Sequence, residues 1–125
     1  MATTILVADD NRANRDALAF LLETAGYRIL TAVDGRDALA QTRTERPELV
    51  ISDVLMPRMD GYELATYMRN DARLKEVPII MVTSRTGEKH RQRALEIGVE
   101  RYLGKPYQEA DLLRHVQEIL RMDRA

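Results

Sequence analysis

Short runs of apolar residues, unbroken by polar ones, recur along the chain, and the intervals between them carry apolar side chains at helical spacing. Leu49-Val50-Ile51, closing at Ser52-Asp53, shows no polar–apolar alternation. That pattern fits a strand covered on both faces. Ile5 to Ala8 stops at Asp9-Asp10-Asn11, Pro78 to Val82 stops at Thr83-Ser84, and Val99 to Leu103 runs into Gly104-Lys105-Pro106. Tyr27 to Ala32 is apolar and β-branched enough for one further strand, placed on the edge side.

The intervening segments read as helices. Ala17, Leu18, Leu21, Leu22 and Ala25 share a face that Gly26 ends. Asp34-Gly35 opens a helix with the thin stripe Ala38, Leu39 and Thr42, closed by Pro47 through its restriction of Arg46. Pro57 and Gly61 mark a loop, after which Asp60 and Glu63 have the spacing of a capping box ahead of Leu64, Ala65 and Met68. Gly87 to Arg93 has no apolar side chain, so only Ala94, Leu95 and Ile97 anchor the next helix before Gly98. This is expected to be the most loosely held helix. Leu112, Leu113, Val116, Ile119 and Leu120 define the last one. Five alternations of strand and helix with short connections predict an α/β fold: a doubly wound parallel sheet between helices.

Composition narrows the function classes. The 125 residues, 45% hydrophobic, suit one domain spanning 1–125 with a single core. Nineteen basic against twenty acidic side chains give a net charge of -1, too little to draw nucleic acid or an anionic membrane by bulk field. The absence of cysteine excludes thiol chemistry, disulfides and zinc–thiolate sites. No apolar run is long enough for a bilayer span and the start carries no basic leader, so a soluble cytoplasmic protein is expected, with no nucleic acid and no membrane among its partners.

The candidate chemistry lies at the strand ends: Asp9 and Asp10, Asp53, Thr83 and Lys105. Singly, each is ordinary, since an Asp-Asp pair ahead of a helix is commonly a cap and a lysine before proline is commonly solvated. In a parallel sheet, however, all five converge on one edge, where open α/β sheets bind their ligands. Two like charges about 4 Å apart repel by roughly 4 kcal/mol at an effective dielectric near 20. A hard divalent cation removes that conflict, and magnesium suits an all-oxygen site of one or two carboxylates plus phosphate oxygens. A metal, a lysine, a hydroxyl and one free carboxylate are the parts needed for phosphoryl transfer to an aspartate.

Asp9-Asp10, Asp53 with Met56-Pro57 and Asp60-Gly61, Thr83-Ser84 and Lys105-Pro106 resemble the signature of the receiver domain of two-component response regulators, across nearly the whole chain. The resemblance implies a flavodoxin-like sheet in the order 2-1-3-4-5 with five helices. It implies that Asp53 accepts a phosphoryl group from a histidine kinase or phosphotransfer domain. Mg2+ would be held by Asp9, Asp10, Asp53 and the backbone carbonyl of Leu55; Thr83 and Lys105 would bind phosphoryl oxygens; Tyr102 would report the phosphorylated state. Lys105-Pro106 resembles the family's cis bond. The domain would promote only its own phosphorylation and dephosphorylation, not act on another substrate. A narrower likeness, through Thr83 to Arg91 and Arg101 to Tyr107, is to receivers of chemotaxis-type hybrid histidine kinases; Asn11 to Arg15 is more similar to other hybrid kinases.

On this reading phosphorylation draws Thr83 inward, Tyr102 fills the space vacated, and the surface of the fourth helix, fifth strand and fifth helix changes for a downstream protein or a second copy of the chain. Leu55 and Arg85, each two residues past a site residue, would flank the site and tune the lifetime; Leu55 cannot orient an attacking water, so slow hydrolysis is expected. Arg85, Lys89, His90, Arg91 and Arg93 are either a docking face for an acidic partner or a solvated helix face, and His90 and His115 read as surface residues. Haloacid dehalogenase-type enzymes also form an aspartyl phosphate, but their motif needs a second carboxylate where Leu55 stands. A degenerate interaction module is disfavoured because all five site residues are present.

Overall fold

The apolar runs of the three central strands lack alternation because those strands are sandwiched between two layers of helices. The protein is described by a computed structural model for residues 2–124, with side chains through Arg121. Its elements are β1 (Thr4–Ala8), α1 (Arg12–Thr24), β2 (Arg28–Ala32), α2 (Gly35–Thr44), β3 (Leu49–Ser52), α3 (Gly61–Arg69), β4 (Ile79–Thr83), α4 (Glu88–Ile97), β5 (Arg101–Gly104) and α5 (Glu109–Arg124). All four strand pairings are parallel, and the sheet order is β2-β1-β3-β4-β5. The expected order 2-1-3-4-5 and the flavodoxin-like class are therefore observed. No helix is long and apolar enough to cross a membrane, among the described residues.

Side-chain alternation sorts the core into two halves. Ile5, Val7, Leu49, Ile51, Ile80 and Val82 pack under α1 and α5, against Leu18, Leu22, Leu112 and Val116. Leu6, Ala8, Val50, Ile79 and Met81 face the opposite way, against Ala38, Leu39, Leu64, Met68 and Ala94 of α2, α3 and α4. Burying each valine, leucine, isoleucine or methionine among them contributes roughly 1.5–3 kcal/mol, so the three central strands are the most firmly fixed part of the molecule. β2 and β5, at the edges, are only partly covered.

Several expectations shift by a residue or two. Ala17 and Ala25 are exposed, and Ala19 occupies the buried stripe with Leu18 and Leu22. Tyr27 precedes β2 instead of belonging to it. Leu95 is 43% exposed, leaving Ala94 as the buried residue of α4. Val99 is buried but lies in the turn: Gly98 adopts φ 107 and both Gly98 and Val99 donate their N–H to the Ala94 carbonyl, which carries the chain out of α4 and delays β5 to Arg101. The turn before β4 supplies two core residues, Leu74 and Val77, from a segment with no strand or helix periodicity. The capping box of Asp60 and Glu63 is formed as expected.

Candidate functional site

Three backbone bonds carry the ladder past the strand ends and bring the chemistry to one edge. Asp9 N–H donates to the Ala32 carbonyl, Asp53 N–H to that of Ala8, and Lys105 N–H to that of Thr83, at 3.1, 3.0 and 2.9 Å. The residues just beyond β1, β3 and β5 are thus set by sheet geometry, not by loop conformation. Gly61 lets this happen next to Asp53: its N–H reaches the Val54 carbonyl at 2.8 Å, and a Cβ there would lie 2.2 Å from the Asp53 carbonyl oxygen.

Asp9, Asp10 and Asp53 each present a carboxylate oxygen within 4.8 Å of the other two. Lys105 Nζ donates to Asp53 Oδ2 at 2.8 Å and to Asp9 Oδ2 at 3.0 Å. The remaining oxygens are aimed by backbone amides: Val54 N–H donates to Asp53 Oδ1 at 2.6 Å and Asn11 N–H to Asp9 Oδ1 at 2.9 Å. Arg15, from the first turns of α1, donates to the Asp9 carbonyl at 2.8 Å. Burial on its own would lower the Lys105 pKa, but hydrogen bonds and charges from Asp53 and Asp9 outweigh it, and the net shift is upward. The ammonium stays charged. One cation against three carboxylates leaves two net negative charges among oxygen donors, a donor set that fits a hard divalent cation.

Beside this cluster opens a cleft of about 480 Å³, running from Asp9, Asp53 and Lys105 between α1 and the β5–α5 turn, past Asn14, Tyr107 and Glu109. Thr83, with no exposed surface, ends β4, and its Oγ1 accepts from Arg85 N–H at 3.2 Å. Leu55 is 48% exposed on the loop after Asp53, and Arg85 is exposed on the loop after Thr83. Lys105-Pro106 is cis. Tyr102 does not wait outside the fold: its ring packs against the core, its hydroxyl donates to the Arg85 carbonyl, and Tyr62 Oη lies 3.4 Å away. Burial first, then Tyr62, pushes the Tyr102 phenol well above its ordinary value, so it holds its proton and donates.

Sequence reasoning passed over Tyr62 and read only part of the roles of Asp34 and Arg93. Buried Asp34 caps α2 and pairs with Arg58 at 2.6 Å, tying the β2–α2 turn to the loop that follows Asp53. Tyr62 reads as the polar start of a helix yet is 3% exposed, and His90 faces it. Arg93, grouped above with a basic surface, stacks over the Tyr62 ring at 4.2 Å. The signal for Tyr62 was its spacing: it lies three residues before Ala65 and six before Met68, on the buried side of α3.

The model of the response regulator receiver domain family matches residues 5–117. Response regulator MprA of Mycolicibacterium vanbaalenii is 38% identical over 121 residues, covering 97% of this chain. The chain spans about half the length of that relative, 52%. Among solved structures, chemotaxis protein CheY4 of Vibrio cholerae superposes with a TM-score of 0.90 at 34% identity, covering 95% of this chain and 99% of that one. The receiver domain of sensor histidine kinase PA1611 from Pseudomonas aeruginosa, described with a magnesium ion coordinated in its active site cleft, superposes with a TM-score of 0.89 at 29% identity over 96% and 98% of the two chains. A response regulator, a chemotaxis protein and a kinase receiver at such similar identities single out no subfamily.

Proposed function

The chain belongs to the response regulator receiver domain family of two-component systems, and from that premise we propose that residues 1–125 act as one domain whose Asp53 takes a phosphoryl group from the phosphohistidine of a kinase or phosphotransfer domain. The observation that carries this reading is the Lys105 bridge to Asp53 and Asp9 within the acidic trio. Magnesium, held by Asp9, Asp10, Asp53 and the Leu55 carbonyl, would supply charge neutralisation on the transferred group. The fit rests on the oxygen-only donor set and its two excess negative charges; the magnesium described for the PA1611 receiver adds support by likeness.

In the transfer, one Asp53 carboxylate oxygen forms the O–P bond as the N–P bond to the donor imidazole breaks, and the released ring nitrogen keeps the electron pair and takes up a proton. Val54 N–H fixes one Asp53 oxygen at 2.6 Å, which limits rotation of the carboxylate and aims the other outward toward Lys105. Lys105 then follows negative charge from the carboxylate to the new phosphoryl oxygens. Thr83 Oγ1 accepts from Arg85 N–H and keeps its own hydrogen to donate to a phosphoryl oxygen, so a movement of Thr83 toward that oxygen pulls on the β4–α4 loop. The same carbonyl-bearing residue, Arg85, is held by Tyr102. The output is a change in the α4-β5-α5 surface, offered to a downstream protein or a second copy of the chain. The domain promotes only its own phosphorylation and dephosphorylation.

Transfer from a radiolabelled phosphohistidine domain tests the reading. Label should reach the wild-type chain with magnesium and fail to with EDTA or in Asp53→Asn; label on Asp53→Asn would overturn the assignment.

A further inference from the structure

α4 is unusual in how little apolar packing holds it. Ala94 is its buried residue, Leu95 faces solvent, and Gly87 gives its start no side-chain cap. What it has in place of a hydrophobic stripe is a set of contacts with one residue of α3. Tyr62 Oη lies 3.4 Å from His90 Nδ1, 3.3 Å from the His90 carbonyl and 3.4 Å from Tyr102 Oη. Arg93, one turn further along α4, covers the Tyr62 ring at 4.2 Å.

The protons on this node can be counted. The Tyr102 hydrogen is committed to the Arg85 carbonyl, so Tyr102 offers Tyr62 only a lone pair. Tyr62 has a single hydrogen, and three acceptors compete for it: Tyr102 Oη, the His90 carbonyl and an unprotonated His90 Nδ1. Distances of 3.3–3.4 Å are long for hydroxyl bonds, so the three contacts are individually weak and none holds the hydrogen exclusively. If Tyr102 swings away, that hydrogen passes wholly to α4.

We propose that Tyr62 is a positioning residue of the switch, whose hydroxyl links the side-chain setting of Tyr102 on β5 to the seating of α4 through His90, with Arg93 clamping the ring from α4. The functional consequence rests on the proposed role of Tyr102; the link itself is a property of the protein before any phosphorylation. The Tyr62 ring has a conservative replacement, since phenylalanine keeps its volume and the Arg93 stacking and removes only the hydroxyl.

Amide hydrogen exchange on the full chain, without phosphodonor, reads the link. Tyr62→Phe should speed exchange across residues 91–97 about five-fold, the factor matching the net contribution of one hydrogen bond, while α1 and α5 stay as in wild type. Unchanged α4 exchange, or a rise spread evenly over all helices, would overturn the proposal. The readout that mere structural support would not move is the cycle with Tyr102→Phe. Because Tyr102→Phe also releases the Arg85 carbonyl ahead of α4 in both backgrounds, the coupling is read as a difference: its effect on exchange at residues 91–97 should not be the same in the wild-type and Tyr62→Phe backgrounds, whereas additive effects would refute the coupling. A second variant, Arg93→Gln, should loosen α4 yet leave the Tyr102 ring signals in carbon-13 tyrosine spectra unmoved; Tyr62→Phe should shift them, and their staying in place would overturn the link. Because these measurements need no phosphoryl group, they can succeed while Asp53 phosphorylation fails, or the reverse.

Discussion

Removing a carboxylate from the acidic trio should stabilise the metal-free protein, and Asp10 is the residue at which to see it. Asp10 lies within 4.8 Å of Asp9 and Asp53, and the Lys105 bonds go to the other two carboxylates. At that separation each like-charge pair is worth about 3.5 kcal/mol at an effective dielectric of about 20 and about 0.9 kcal/mol in bulk water. Asp10 is exposed, so its two repulsions belong near the water limit, with some offset from the Lys105 charge beyond. Asp10→Asn should therefore raise the unfolding free energy by about 1–2 kcal/mol in EDTA, and the melting temperature by about 4–8 °C. Magnesium should narrow the gap. Binding only to the folded state adds about 1.4 kcal/mol at ten times Kd, and the variant, short of one ligand, should gain less. Urea unfolding of both proteins, with EDTA and with magnesium, makes the comparison. A variant no more stable than wild type in EDTA, or magnesium stabilising both equally, would refute the electrostatic account of the site.

Gly61→Ala should cost about 1–3 kcal/mol by urea unfolding, the range for overpacking, because its Cβ would meet the Asp53 backbone, which is no flexible side chain. Asp34, held below its ordinary value of 3.8 first by the Asp37 amide and further by Arg58, gives stability that is fully present above that value and lost as pH falls through its depressed native value. Asp34→Asn keeps a cap but not the charge, so its stability should fall less steeply below about pH 4 than that of wild type. Leu55→Asn, placing an amide able to orient water on the exposed loop beside Asp53, should shorten the lifetime of the phosphorylated protein; an unchanged rate of phosphate release would count against slow, unassisted hydrolysis.

Much of this arrangement was legible in the sequence because the strands are short and punctuated and the three central ones are fully covered. Four of the five apolar runs ended at or next to a candidate site residue, the Tyr27 to Ala32 run being the exception, and the ladder bonds at Asp9, Asp53 and Lys105 explain why the end of a run marks the sheet edge. The helix faces were less legible where alanine decided them: Ala17 and Ala19 differ in burial but not in chemistry. Leu74 and Val77 enter the core from a turn, so no periodicity announces them. Tyr62 was hidden because a hydroxyl-bearing residue beside a glycine and a glutamate looks like surface; its burial follows from its place on the α3 stripe, and its partners lie on α4 and β5. The inward setting of Tyr102 depends on Arg85 and Tyr62, neither close to it in sequence, and no pattern within β5 encodes it.

The most direct test of the central claim is intact-mass analysis of the chain after incubation with acetyl phosphate and magnesium. The wild-type protein should gain one phosphoryl group, lose it on mild base treatment, and remain unmodified in EDTA, while Asp53→Asn stays at its starting mass throughout. A wild-type chain that never gains the group, or an Asp53→Asn chain that gains it as readily, would contradict the assignment of Asp53 as the acceptor.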